Sequence, residues 1–184
     1  QECPRLYVAG DAPYPTFTPL GVDCSIGCGD LPWTRLGLPR PKKPPVTFGG
    51  EASGNGREDE GTAYIYTYIN CHGEEGAPSP PSLDLIREDD GSPILISGFV
   101  IPPPEYNVKR IWIYRLVSGR MVVQDQVKDF QTEYYYVGEI DINTLTFTDS
   151  VRNLDVGHAM NTMYAHEPHA NLRGMMLVNN SNTL

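Results

Sequence analysis

Residues 61–82 read GTAYIYTYINCHGEEGAPSPPS, and the reading of the whole chain turns on them. Tyr64, Tyr66 and Tyr68 alternate with Ala63, Ile65, Thr67 and Ile69. A period of two in β-branched and aromatic residues predicts a strand, with an aromatic stripe on one face and a smaller, mainly aliphatic stripe on the other. From Asn70 the alternation stops. Gly73, Gly76, Pro78, Pro80 and Pro81 break it, so the chain is expected to leave the strand and run extended to Ser82.

The same signal recurs downstream. Asp89-Asp90-Gly91-Ser92-Pro93 is turn chemistry, and it lacks the further spaced oxygen ligands of a calcium loop. Residues 94–101 (ILISGFVI) follow as a predicted strand, ended by Pro102, Pro103 and Pro104. In 108–117 (VKRIWIYRLV), Val108, Arg110, Trp112, Tyr114 and Leu116 share one face, and Lys109, Ile111, Ile113, Arg115 and Val117 the other. Both faces are apolar at the centre, which predicts an inner strand covered on both sides. Lys109, Arg110 and Arg115 are read as solvated strand-end charges or interface ion pairs, in preference to a phosphate site. Ser118-Gly119 is read as a turn, 121–123 as the start of an edge strand, and 131–140 as a strand around Tyr134-Tyr135-Tyr136. Asp141-Ile142-Asn143-Thr144 is a turn before a short strand at 145–149. Strands joined by turns at this density predict an all-β fold, an antiparallel β-sandwich over 61–150, rather than alternating βα units.

The flanks differ in kind. Residues 1–48 show no sustained period beyond a short strand at Arg5–Val8, and Pro13, Pro15 and Pro19 oppose any helix. Trp33 to Pro39 lead into Arg40-Pro41-Lys42-Lys43-Pro44-Pro45, a polyproline II sequence. The segment is expected to be an extended Pro-rich arm that lies on a neighbouring surface, because an arm cannot bury Trp33, Leu36 and Leu38 by itself. Residues 49–60 are expected to be a flexible linker and 151–184 an extended C-terminal segment, with 173–178 as a strand whose sheet lies elsewhere. Gln1 is not an initiator, so a processed chain or a piece of a longer one is expected.

Composition narrows the function classes. Eleven Tyr against 5 Phe and 2 Trp suit half-buried sheet faces and interfaces, where the ring packs and the hydroxyl stays wet. Seventeen Pro and 18 Gly in 184 residues exclude a helical bundle. A net charge of −9 opposes wholesale binding to nucleic-acid backbones. No apolar run approaches the roughly 18 residues that span a bilayer as a helix, and no signal peptide opens the chain. Cys3, Cys24, Cys28 and Cys71 are read as free thiols, with a disulfide or a metal site as rivals; the Cys24-x3-Cys28 spacing is off the common C-x2-C pattern and no paired His motif accompanies it.

Two resemblances follow from these motifs. IWIYRLVSG, YYYVGEI and TFTDS look like the central strands of fibronectin type III modules, and YIYTYINCHGEEGAPSPPS looks like their last two strands. Here the closing-type motif comes first. More broadly, the ordered series RLYVAGDAPYP, WTRLGLPRPKKPP, YIYTYINCHGEEGAPSPPS, VKRIWIYRL, YYYVGEI…FTDS and HEPHANLRGMMLVNN resembles large tail proteins of short-tailed bacteriophages. That resemblance implies a structural tail-tube or nozzle subunit. It would be assembled in the host cytoplasm and carried in the virion, in a ring of its own copies with neighbouring virion proteins. No active-site residue or cofactor carries over.

No catalytic constellation stands out. His158 and the His166-Glu167-Pro168-His169 run are weighed as metal ligands, but Pro168 prevents the regular helix that would align two rings. Glu58-Asp59-Glu60 and Glu74-Glu75 are read as solvated loop acids, since a glycosidase needs two carboxylates held apart in a cleft. Ser79 and Ser82 lack the pattern of a nucleophile elbow, and the Asn179-Asn180-Ser181 sequon carries no meaning without secretion. The expectation is therefore no enzyme, no cofactor and no metal. Contacts are expected from Trp33 and Leu36 and, if their face is outward, from Tyr64, Tyr66 and Tyr68. An acidic inner wall would repel passing DNA over about 8 Å at physiological salt. The rival expectation is a β-sandwich that binds a cell-surface glycan through Trp and Tyr.

Overall fold

The tyrosine stripe of 64–68 is internal: Tyr64, Tyr66 and Tyr68 are 0, 0 and 2 % exposed. The computed structural model describes residues 5–9, 13–19, 33–52, 61–87, 89–123 and 126–161. Its strands are β1 (Arg5–Val8), β2 (Thr16–Pro19), β3 (Thr34–Arg35), β4 (Val46–Phe48), β5 (Glu51–Ala52), β6 (Tyr64–Asn70), β7 (Leu85–Ile86), β8 (Ile94–Ser97), β9 (Val108–Val123), β10 (Gln126–Asp141) and β11 (Phe147–Asp149). The helical content among these residues is two single 3-10 turns, Pro104–Tyr106 and Asn153–Asp155. The fold is all-β and antiparallel.

Three three-stranded sheets run β1-β2-β3, β10-β9-β6 and β11-β8-β4, and β5 pairs with β7. The second and third share one core. Register puts Tyr64, Tyr66 and Tyr68 opposite Arg115, Ile113 and Ile111 of β9, so these six lie on one face. They meet Ile94 and Ile96 of β8, both 0 % exposed, while the intervening Leu95 is 41 % exposed. That alternation fixes which face of β8 is inside. Thr67 and Tyr114, on the other face of β6 and β9, are also buried. Strand β9 lies between β10 and β6, and Ile113, Tyr114 and Arg115 are buried on its two faces, while Trp112 and Leu116 on the second face are half-buried.

Residues 76–82 explain the proline-serine run. They lie along the free edge of β6, where the Gly76, Ser79 and Ser82 amides donate to the carbonyls of Tyr68, Tyr66 and Tyr64 at 2.9, 2.9 and 2.8 Å. Three residues of one segment thus match two of the other, with Ala77-Pro78 and Pro80-Pro81 filling the steps between the donors. Proline has no amide to give. In return the Ser79 and Ser82 hydroxyls accept the Tyr66 and Tyr64 amides at 3.1 and 3.0 Å. The serines do the work that a strand's carbonyls would do.

Several sequence expectations need correction. Strand β9 does not turn at Ser118-Gly119 but continues to Val123. Gly119 lies opposite Phe130 in the ladder with β10, whose start is Gln126 rather than 131. A glycine opposite a bulky residue suits an extended ribbon as well as a turn, and the ladder decides for the ribbon. The strand at 94–101 stops at Ser97, ahead of Gly98, whose φ is +76°. Segment 1–48 is not a bare arm: β1, β2 and β3 form a sheet and β4 joins the core-forming β8. Likewise β5 lies within the expected linker and pairs with β7. Leu38 packs in the shared core and Arg40 Nε donates to the Pro78 carbonyl at 2.8 Å, so the Arg-Pro-Lys stretch leans on its own chain. In the C-terminal segment, 157–160 pair along β10 through the Gly157, Tyr136 and Met160 amides. The turns at 89–93 and 141–144 form as expected, closed by Ser92 N to Asp89 O and Thr144 N to Asp141 O. No helix of the described residues is long and apolar enough to cross a membrane.

Candidate functional site

The residues singled out from the sequence do not converge. Trp33 is 41 % exposed just before β3, and Leu36, half-buried, gives its amide to the Pro15 carbonyl at 2.9 Å. Tyr64, Tyr66 and Tyr68 fail the condition placed on them, because their face is the core. Their hydroxyls are not wet either. Tyr64 Oη donates to Asp149 Oδ2 at 2.7 Å, Tyr66 Oη accepts the Val100 amide at 3.2 Å, and Tyr68 Oη donates to the Val100 carbonyl at 2.5 Å. Each ring crosses the core and ties its tip to the opposite side. Burial raises all three phenol pKa values above the ordinary tyrosine range, and for Tyr64 the Asp149 carboxylate adds to the rise.

Around Tyr64 lies a charged cluster of Arg115, Asp149 and Arg87, of which the sequence reading took Arg115 for a solvated strand-end charge or an interface ion pair. Arg115 is 1 % and Asp149 0 % exposed. Arg115 donates to Asp149 Oδ2 at 2.5 Å, to the Val151 carbonyl at 2.8 Å and to Asn153 Oδ1 at 2.8 Å. Arg87 caps the Ser92 and Val151 carbonyls and stands 3.8 Å from Asp149 Oδ2. The reading of Arg115 as a strand-end charge is therefore wrong: the ion pair joins β9 to β11 inside the fold. Among the buried side-chain polar atoms of the described residues, Arg115 Nε alone has no hydrogen-bond partner. With no solvent access this cluster is a structural tie, and it offers no cleft to a substrate.

Glu74 and Glu75 are likewise not free loop acids. Glu75 accepts from Tyr114 Oη at 2.6 Å and from Thr67 Oγ1 at 2.8 Å, while Glu74 accepts from Arg5 and from Asn70 Nδ2. Asn70, 2 % exposed, accepts the His72 and Glu74 amides and so builds the turn. Cys71 in this turn is disulfide-bonded, which corrects its reading as a thiol; Cys3, Cys24 and Cys28 lie outside the described residues. So do Glu58-Asp59-Glu60, His166, Glu167, His169, the 173–178 strand and the 179–181 sequon. Among the described residues no group of three His, Cys, Asp or Glu could hold a metal ion.

Two surfaces of the described residues gather side chains that suit a partner. On the outer face of β9 and β10, Trp112 and Tyr136 meet edge-on at 5.5 Å, and exposed His158 stacks on Tyr136 at 5.3 Å. Trp112 Nε1 donates to Glu139 at 2.7 Å, as does Arg110 at 3.1 Å. The second surface is a groove of about 860 Å³ beside the Pro-rich stretch. Arg40, Lys42 and Lys43 form its basic rim, with Ile101, Pro103 and Tyr106 among its apolar walls. The sequence showed the basic residues but not the wall that faces them, which comes from a loop some sixty residues later. No family model and no curated protein matches this chain.

Proposed function

We propose that this chain is a virion structural protein, a tail or nozzle subunit of a short-tailed bacteriophage, built on a fibronectin type III-like sandwich and assembled with copies of itself into a ring. The observation that carries the reading is the ribbon at the end of β9 and β10. Among the described residues, the ladder from Gly119 to Val123 joins β9 to β10 alone: β6 pairs with β9 as far as Arg115, and the Leu116 amide still reaches the Ala63 carbonyl. Ser118–Val123 spans about 20 Å at roughly 3.4 Å per residue. A two-stranded ribbon is marginal alone in water, so one of this length suits a chain that completes itself against a neighbour.

Other features support the same reading. The strands carrying the fibronectin-like central and closing motifs adjoin in the order β10, β9, β6, with 76–82 beyond. The Tyr-Arg and Thr-Asp motifs meet as the Arg115–Asp149 pair. We assign the chain no catalytic role. A disulfide at Cys71 fits a particle that works outside the reducing cytoplasm, and requires the bridge to close late if assembly is cytoplasmic. Electron microscopy of the assembled particle, with this chain labelled, tests the proposal. Density for the label in a symmetric ring is expected, and its absence from the particle overturns the reading.

A second reading, a glycan-binding module, is favoured by the Trp112–Tyr136–His158 cluster with Glu139 beside it. It requires oligosaccharide binding that Trp112→Ala abolishes while the fold survives.

A further inference from the structure

We propose that the basic groove of one copy takes the Leu83–Asp84 corner of a second copy, in a head-to-tail contact that propagates around the ring. The proposal rests on the self-assembly reading above and names the surfaces that would carry it.

The groove asks for an acid. The chain has 23 acidic residues against 14 basic ones, yet Arg40, Lys42 and Lys43 stand together on one rim. All three are exposed. Lys42 and Lys43 form no ion pair among the described residues, and Arg40 spends its Nε on the Pro78 carbonyl. Neighbouring cations repel, and a carboxylate placed among them relieves that repulsion. The groove also asks for an apolar side chain. Ile101 on its wall is 59 % exposed, and prolines supply much of the rest.

The same molecule displays the complement elsewhere. Leu83 is 87 % exposed, the highest value among the large apolar side chains described, and Asp84 beside it is exposed as well. The corner is pre-shaped. Residues 76–82 are clamped to β6 by backbone and serine hydrogen bonds, so the chain enters Leu83 already extended and little ordering entropy remains to be lost on docking. Leu83 does not occupy the groove of its own molecule. The two patches are different surfaces, so the contact is heterologous; such contacts close into rings where the rotation allows.

The test is native mass spectrometry with sedimentation velocity on the full chain. Lys42→Glu with Lys43→Glu forms one variant and Asp84→Lys the other, with circular dichroism to confirm that each keeps the fold of the wild type. Each variant alone should self-associate at least about tenfold more weakly, and mixing the two should restore assembly, because every groove then faces an opposite charge. Leu83→Asn should weaken it without salt dependence. Wild-type oligomers unaffected by both charge reversals would overturn this contact and leave the ring reading standing. A wild type that never self-associates would overturn both.

Discussion

Tyr64 and Asp149 are 85 residues apart in the chain, and the Tyr64 hydroxyl donates to the Asp149 carboxylate at 2.7 Å in a contact sealed from solvent. Asp149 holds Arg115 through the same oxygen, so one carboxylate atom joins β6, β9 and β11. A buried pair of this kind is not strong evidence of net stabilisation, but breaking it from one side leaves an uncompensated charge. Asp149→Ala should therefore cost about 3–5 kcal/mol. Tyr64→Phe, which keeps the ring and the ion pair, should cost only about 1.5–3 kcal/mol. Urea unfolding of both variants checks the ranking; equal losses would mean that the hydroxyl–carboxylate bond, and not an uncompensated Arg115, accounts for the cost.

The serines of 76–82 lend themselves to a separate test. Ser79→Ala removes the acceptor of the Tyr66 amide, and Ser82→Ala that of the Tyr64 amide, both in buried surroundings. Each should cost about 1–3 kcal/mol, the range for a buried donor left unpaired. Amide exchange offers the sharper readout. The Tyr66 and Tyr64 amides should lose protection selectively in the matching variant, while Ile94 and Ile96 keep theirs.

Much of this was legible in the chain. The period-two tyrosines announced β6, and Asp141-Ile142-Asn143-Thr144 announced its turn, because local steric and hydrogen-bond rules act over two to four residues. What Tyr64, Tyr66 and Tyr68 face was not legible. Alternation separates two faces of a strand without saying which is the core, and β6 is buried on both. Arg115 was misread for a related reason: its partner lies 34 residues away, so nothing local distinguishes a buried arginine from a solvated one. Ser118-Gly119 misled as a turn because β9 runs straight through it, held by β10. The groove escaped notice because its two walls, 39–43 and 100–106, are joined only by the tertiary fold.

The buried tyrosines should set the alkaline limit of the fold. Burial raises the pKa of Tyr64, Tyr68 and Tyr114, helped by Asp149 for the first, Tyr66 for the second and Glu75 for the third. A phenol whose folded pKa is raised prefers to stay neutral in the fold. Its stabilising contribution is complete below the unfolded value, about 10, and declines as pH rises past it towards the folded value. Stability should thus fall steeply above about pH 10. Tyrosinate absorbance should show part of the 11 tyrosines titrating only as the β-sheet circular dichroism collapses. All 11 ionising at the ordinary value with the fold intact would contradict the buried placement.

Gly138 of β10 lies directly under the Phe147 ring of β11. It sits at a register shift in β10, opposite Ile113, and a β-carbon there would lie 2.6 and 2.8 Å from Cζ and Cε2 of the Phe147 ring on β11. Real contacts of that kind do not occur, and the obstacle is a ring packed against the core rather than a loose side-chain end. Either the bulge or β11 must move. Because β11 ends in Asp149, a shift of β11 would also pull on the Arg115 pair. Gly138→Ala should cost about 1–3 kcal/mol, the range for an overfilled core. Phe147→Leu, which vacates the space, should cost less when Gly138→Ala is already present than when it is alone. A double-mutant cycle by thermal unfolding measures that coupling, expected at 0.5 kcal/mol or roughly more. Strict additivity would show that the two residues do not touch.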